Sequence, residues 1–504
     1  MRTAYGPNGL NKIVINHIDK LFVTNDAVTI LKELEVEHPA AKLMVLTSKM
    51  QEEEVGDGTN FVIIFCGALL DGAEILLRMG LAPIEIYYGY SKALAKCLEI
   101  LPTLVCHKIT DLKDEDSVAR AIRGTIMSKQ YGSEDFLSKL IAKACVSVLP
   151  ENSTFNVENI QICKILGSGL QNSEVVQGLV FKRHVEGVIN SLKNAKVVVY
   201  TCPVDTGSTE TKGTVLIKTA EELTKFSEGE ESMLEKQLKA IKDAGADVIV
   251  SGAKFGDMAL HFINRLGMMA VKLSSKFDVR RLCKTLNATA LPSLQTPMKE
   301  ELGFVDDVYV DEIGDTSIVV FKMAAHESRV ATIVLRGSTQ NYMDDIERAV
   351  DDGVNIFKGL TRGEGCMLPG AGAVEVELAL RIRKYAETLT GLDQYPMFKY
   401  AEALEALPRA LAENSGLKPD MALYRLREAH NKGETNKGLN IQSEDDNVLL
   451  DAHTEGIWDL YQCKHFGLHF ATDTATVLLR VDQIVMAKRA GGPSVKAPNT
   501  NDDD

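Results

Sequence analysis

From residue 61 to 101 apolar and small side chains recur at helical spacing, interrupted by Gly80-Leu81-Ala82-Pro83, which predicts two or more packed helices. Pro39 suits the first turn of a helix running to about Val55. Before it, Leu21 to Thr24 reads as a strand, and Asn25-Asp26 opens a helical run through Val28, Ile30, Leu31 and Leu34, with Asp26 placed to cap it. Val118 to Met127 is helical in period and ends in Ser128-Lys129-Gln130-Tyr131-Gly132. Near Gly178 the pattern changes. Strand-like Leu179 to Phe181, Val197 to Tyr200, Asp247 to Val250 and Met269 to Val271 alternate with helical Ser232 to Ala244 and Met258 to Leu266, which predicts an inserted α/β domain with a parallel sheet. Strand-like Ala331 to Leu335 closes the insert. Ser338 or Thr339 can then cap a helix whose Met343, Ile346, Val350, Val354 and Phe357 form one stripe. Asp345, Arg348 and Asp352 lie opposite that stripe, free to face solvent or another domain. The last third reads as almost all α: a helix through Leu378, Ile382 and Leu389, then Phe398 to Glu413 kinked at Pro408 and stopped by Gly416, then Pro419 to Ala429, then Thr472 to Arg489 with a partly strand-like end.

Composition narrows the class. A chain of 504 residues with 45% hydrophobic content suits about three packed domains. A formal charge of -14 argues against a nucleic-acid partner, which requires a concentrated basic face. Nine cysteines without a Cys-x-x-Cys fit reduced thiols in the cytosol better than disulfides or a zinc site. No signal peptide and no apolar run of membrane-spanning length is expected. The charged run Asp111 to Asp116 suits a domain boundary. Asp205 to Gly213, rich in Gly, Ser and Thr and followed by the capping box Thr219-Ala220-Glu221-Glu222, suggests a protrusion with its own helix. Residues 491–504 form a polar, acidic tail expected to be disordered.

The chemistry-bearing residues sit in glycine-flanked turns. Val55-Gly56-Asp57-Gly58-Thr59-Asn60 runs straight into a predicted helix. Its glycines permit close backbone approach to a ligand, the helix N-terminus suits an anion, and Asp57 suits Mg²⁺; an ordinary capped turn is the alternative. Tyr5 to Lys12 and Leu368 to Glu375 repeat this logic. Lys129 is able to reach a phosphate, although a single loop lysine is ordinarily only solvated. His465 and His469 have the spacing of a helical metal pair but lack further ligands. No Walker A sequence, Gly-x-Gly-x-x-Gly or Gly-x-Ser-x-Gly is present, which removes support from common hydrolase and dehydrogenase readings.

Taken in order, Tyr5-Gly6-Pro7-Asn8-Gly9, Val23-Thr24-Asn25-Asp26, Val55-Gly56-Asp57-Gly58-Thr59, Gly370-Ala371-Gly372-Ala373-Val374-Glu375 and Ala412-Glu413-Asn414-Ser415-Gly416 resemble the signature loops of group II chaperonins across nearly the whole chain. The resemblance implies a multidomain α and α/β subunit. A mainly α equatorial ATP-binding domain would span 1–111 and 367–490, a small hinge domain 112–178 and 329–366, and an α/β apical client-binding insert 179–328, with a lid protrusion near 203–230. It implies ATP-dependent folding of cytosolic proteins such as actin and tubulin, within a hetero-oligomeric double ring and with no nucleic acid or membrane as partner. ATP and Mg²⁺ are the implied cofactors. Asp57 would bind the metal, while Gly58, Thr59 and Asn60 would hold phosphate. Tyr5 and Gly6 match the first nucleotide loop, and Met127, Ser128 and Lys129 the loop that senses the γ-phosphate. Gly370 and Gly372 match glycines near the ribose, and Asp459 resembles the aspartate on the sugar. Asp26 and Asp352 match the carboxylates that position the attacking water. The stretch from Asp278 to Leu286 resembles the wall that holds clients. Three departures stand out. Ala27 and Ala371 replace usual glycines, and the strand and helix implied before Arg2 are missing, which puts strand pairing between subunits in doubt and is most simply explained by a truncated gene model. The two alanines keep open an alternative, a nucleotide-holding structural and client-binding subunit with little hydrolysis of its own. A free-standing soluble enzyme is the third reading.

Overall fold

The computed structural model describes residues 1–150, 155–205, 220–323, 330–363, 365–442 and 448–486, with side chains from 232 onward in the stretch that begins at 220. Strands β1 (Lys12–Ile15) and β2 (Leu21–Thr24) form an antiparallel hairpin that feeds α1 (Ala27–Glu33). Helix α2 (Pro39–Glu54) starts with its proline in the first turn, where the missing N–H costs nothing. Then α3 (Thr59–Arg78) and α4 (Pro83–Ile100) pack together. Against expectation, α3 is long and apolar enough to cross a membrane; most of its apolar stretch is spent in the protein core instead. There Phe65 meets Tyr400 edge-on at 5.4 Å, and the buried Tyr90 and Tyr400 hydroxyls are satisfied by the Leu69 carbonyl and Thr472. Next come β3 (His107–Lys108), α5 (Glu115–Lys129) capped by Asp114, and α6 (Glu134–Val148).

The middle of the chain builds one nine-stranded sheet. Its elements are β4 (Ile160–Leu166), β5 (Glu174–Phe181), β6 (Ser191–Tyr200), α7 (Ala220–Asp243), β7 (Val248–Ser251), α8 (Asp257–Arg265), β8 (Met269–Lys272), α9 (Lys276–Leu286), β9 (Ala290–Leu291), β10 (Gly303–Ile313), β11 (Thr316–Lys322) and β12 (Ala331–Gly337). The expected parallel pairing holds for the β6, β7, β8 and β9 portion, where helices cross between strands, and β4 and β12 also pair in parallel. The sheet as a whole is mixed. Strands β10 and β11 are joined by the two residues Gly314 and Asp315, a link too short for anything but an antiparallel pair, and Gly314 supplies the positive φ of +65° that the turn needs. Alternation along β6 buries Val197 and Val199 under α9 and Val198 and Tyr200 under α7 and α8, so both faces are covered.

The chain then returns. Thr339 caps α10 (Gln340–Arg362) through the Tyr342 N–H, and the predicted stripe from Met343 to Phe357 is buried. After β13 (Cys366–Pro369) come α11 (Ala373–Thr388), α12 (Gln394–Leu404), α13 (Ala406–Asn414), α14 (Pro419–Asn431), β14 (Lys437–Leu439), β15 (Leu449–Asp451), β16 (Trp458–Leu460) and α15 (Tyr461–Leu479). Pro408 produces a full break at Glu405 rather than a kink, because its ring opposes the carbonyl four residues back, that of Leu404. Helix α15 begins at Tyr461, well before the expected Thr472, and ends at Leu479; the expected end at Arg489 lies outside the described residues. Its early buried positions include Cys463, Lys464 and Gly467, which give no apolar period to read. Four short strands interrupt the expected all-α third, and β16, β13 and β3 form a sheet that ties the first third of the chain to the last. The capping box at Thr219, most of the expected protrusion and the acidic tail lie outside the described residues.

Candidate nucleotide site

A cavity of about 370 Å³ opens where the N-terminal turn, the start of α3, the end of α5, the start of α11, the β14–β15 hairpin and the β16–α15 junction converge. Two helices present their N-termini here. Gly58 precedes α3 at φ +80° and Gly372 precedes α11 at φ +81°, and neither helix has a side-chain cap. Both ends therefore offer backbone N–H groups to an anion. A Cβ at Gly58 would sit 2.6 Å from the Cys463 sulfur, and one at Gly372 2.9 Å from Pro408. Only glycine fits either turn.

Carboxylates gather at the α3 end. Asp57 accepts from the Gly58 N–H at 2.6 Å and from the Thr125 hydroxyl at 3.1 Å, while Gln51 holds its backbone carbonyl at 2.9 Å. Asp26 caps α1 through the Thr29 N–H at 3.0 Å and accepts from Thr59 at 3.1 Å. Lys129 lies between two acids: its ammonium is 3.0 Å from Asp26 Oδ1 and in direct contact with Asp352 Oδ2. The expectation of a solvated loop lysine is wrong, since Lys129 closes the last turn of α5 and is nearly buried. The polar face of α10 is likewise not turned to solvent. Asp345 is buried against Gln130 at 2.6 Å, and Asp352 reaches the site.

These acids are tuned in opposite directions. Burial alone would push the Asp26 carboxyl up, but Lys129 and the Thr29 N–H hold it well below the ordinary range. Burial pushes Asp352 well above that range, opposed by Lys129 and reinforced by the charges of Asp57 and Asp26. Lys129 stays charged because Asp26, Asp352 and Asp57 outweigh its burial.

Of the residues expected at a nucleotide site, Tyr5, Gly6, Asp57, Gly58, Thr59, Asn60, Met127, Ser128, Lys129, Gly372 and Asp459 line the cavity. Asp26 and Asp352 stand behind Lys129 rather than on the lining, and Gly370 also lies off it, its N–H donating to the Ile457 carbonyl at 2.9 Å. Asn60 directs its amide N–H groups to the Ala4 and Asn25 carbonyls, both at 3.1 Å, so it ties the N-terminal turn to the β2–α1 junction. Sequence reasoning missed Thr125, Lys464 and the hairpin residues Leu439 to Gln442. Thr125 stands one helical turn before Lys129, a spacing that puts both on one face. The hairpin carried no readable pattern.

The family model described as TCP-1/cpn60 chaperonin matches residues 1–489. The chain belongs to this chaperonin family. It is 57% identical over 503 residues to the T-complex protein 1 subunit theta of Homo sapiens, covering all of this chain and 91% of that protein. The theta subunit of Gallus gallus is 57% identical over 98% of this chain and 89% of its own length, and that of Caenorhabditis elegans 51% over 100% and 92%. The chaperonin acts as an ATP-dependent protein-folding chaperone with ATPase activity. Of its two glycine-to-alanine departures, Ala27 sits fully buried in the first turn of α1 with ordinary helical backbone, so its methyl carries no strain. Ala371 differs. It lies at φ +54°, in the left-handed region, and its carbonyl accepts from the Leu439 N–H at 2.9 Å.

Proposed function

We propose that this chaperonin subunit binds ATP with Mg²⁺ in the cavity and hydrolyses it within a hetero-oligomeric ring. The observation that carries the reading is the cluster of Lys129 with Asp26, Asp57 and Asp352 beside the uncapped N-terminus of α3. One lysine against three acids leaves an excess of negative charge, which suits a divalent cation. Asp57 is the acid on the cavity lining, and Mg²⁺ typically takes one or two protein carboxylates and fills its remaining positions with water and phosphate. The donor set therefore fits the metal. Mg²⁺ held by Asp57 would neutralise charge on the transferring phosphoryl group. The α3 N–H groups after Gly58 face the phosphates, while the Thr59 hydroxyl donates to Asp26 and holds that carboxylate in place. Asp26 and Asp352 orient a water for attack, with Lys129 deciding how much of each carboxylate is free to do so.

The division into an equatorial domain (1–111 and 367–490), a hinge domain (112–178 and 329–366) and an apical insert (179–328) is part of the same proposal. Hydrophobic clusters among α3, α4, α11, α12 and α15 and on the two faces of the sheet support it, while the cluster among α5, α6 and α10 also takes in Val55, Met367, Trp458 and Leu460 and so joins the hinge segments to the equatorial ones. In the apical part, Phe277 on α9 is 75% exposed, which suits contact with unfolded clients. All nine cysteines are free thiols, which suits the cytosol.

Rings carrying Asp352→Asn in this subunit should lose its share of ATP turnover; unchanged turnover overturns the catalytic assignment. The strained Ala371 beside Gly372 favours a second reading, a subunit that keeps nucleotide without turning it over. Trapping the nucleotide on this subunit after a single turnover separates the two, ADP supporting hydrolysis and persistent ATP the alternative.

A further inference from the structure

Lys464 is a buried cation on the cavity lining that none of the roles above employs. It projects from α15 and joins two carboxylates, Glu375 of α11 at 2.5 Å and Asp459 of β16 at 3.0 Å. The face of Phe61 covers it at 4.7 Å. The two partners differ. The Glu375 side chain is almost fully buried, and its second oxygen has no hydrogen-bond partner, so its role is to anchor the ammonium. Asp459 keeps 35% of its side chain exposed at the cavity, and no other hydrogen bond reaches its carboxylate among the described residues. One Asp459 oxygen is thus pinned and the other left to a ligand. Burial would lower the Lys464 ammonium, but Asp459 and Glu375 hold it well above its ordinary value, so the anchor is a standing charge.

We propose that Lys464 is the positioning residue for sugar recognition: anchored on Glu375, it aims the free oxygen of Asp459 at ribose hydroxyls and so makes the site prefer ribonucleotides. The inference rests on the reading that Asp459 faces the nucleotide sugar. A carboxylate held by a single charged contact rotates once that contact is lost, whereas a held one presents a fixed acceptor and penalises a sugar without hydroxyls.

The test uses assembled rings. Photolabelling of this subunit by 8-azido-ATP is competed with ATP or with 2′,3′-dideoxy-ATP, and the ratio of competing concentrations is the readout. Wild-type rings should favour ATP about tenfold or more, the effect expected for losing a hydrogen bond to a charged group. Lys464→Met should bring the ratio to within about twofold, and adding Asp459→Asn should change it no further, since both act through one contact. If Lys464→Met strands Glu375 as a buried charge and the subunit fails to assemble, Lys464→Met with Glu375→Gln removes both charges and should show the same loss. Retention of the wild-type ratio by either Lys464 variant, while Asp459→Asn loses it, overturns the positioning role alone. Retention by Asp459→Asn, or no preference in the wild type, overturns the sugar reading and this inference with it.

Discussion

Asp26 and Asp352 share Lys129, yet the two carboxyls are pushed apart, and the direction of each shift determines how the site responds to pH. Asp26 remains ionised well below the ordinary carboxylate range. Asp352 takes up its proton above that range as pH falls, so a water-positioning role that needs its anion is lost first through Asp352. In rings where this subunit carries the one intact site, the acid limb of kcat/KM should therefore lie above pH 4; a limb at or below the ordinary carboxylate value would remove Asp352 from that role. The turn at Asp57 and Gly58 before α3 and the Asp26 cap of α1 were legible, because a glycine-acid-glycine turn before a helix and an acid at a strand-to-helix junction are local signals. Local pattern did not single out Thr125 or Lys464, and Lys129 stood out only through the resemblance of its loop, because the partners of all three lie more than 60 positions away. The glycines were legible in type and not in severity. Gly56 lies at φ +85°, and a Cβ there would fall 2.3 Å from that of Asn355 on α10. Gly56→Ala should cost about 2–5 kcal/mol from the backbone and the overlap together, seen as loss of the subunit from assembled rings. Ala371→Gly should do the reverse, relieving up to about 1 kcal/mol of left-handed strain and tightening nucleotide binding in a titration of the ring.

Helix α10 shows what periodicity can and cannot reveal. Its buried stripe was legible because five apolar residues fall on one side. Its other face resembled a solvated acidic surface, and only the fold shows Asp345 against Gln130, Asp344 and Glu347 on Lys164 at 2.5 Å each, and Asp352 on Lys129. Strands β13 to β16 are three or four residues long, too short for alternation to register. The mixed sheet was hidden for a related reason, since strand direction depends on which neighbours pair and not on the composition of any strand. Because Thr339 caps α10 through the Tyr342 N–H, Thr339→Ala should weaken the first turn by about 1 kcal/mol, and first-turn amides should exchange with solvent several-fold faster. Asp352 lies three turns further along, beyond the reach of end fraying. Turnover unchanged despite faster exchange would confirm that the helix holds its acid through packing; a parallel loss of turnover would show the cap to be part of the catalytic geometry.

At the scale of the whole chain, the site forms where the outgoing and returning segments meet. Asp26, Asp57 and Lys129 come from the first third, Asp352, Gly372 and Asp459 from the return after the nine-stranded insert, and the β3–β13–β16 sheet joins the two. Helix α10 touches this site twice. Asn355 fills the space beside Gly56, and Asp352 contacts Lys129, so the turn at Asp57, the end of α5 and α10 are mechanically one unit. A nucleotide that draws the Lys129 ammonium toward phosphate weakens its hold on Asp352 and alters what α10 is packed against. Since α10 directly follows β12 of the sheet, any shift of the helix is passed to the central insert. Amide exchange measured on assembled rings with and without a non-hydrolysable ATP analogue tests this coupling. Residues 55–60, 125–129 and 343–357 should gain protection together, and Lys129→Met should keep the gain at 55–60 while losing it along α10. Protection confined to 55–60 in the wild type would mean that nucleotide binding stays local and that Lys129 does not carry it to the rest of the chain.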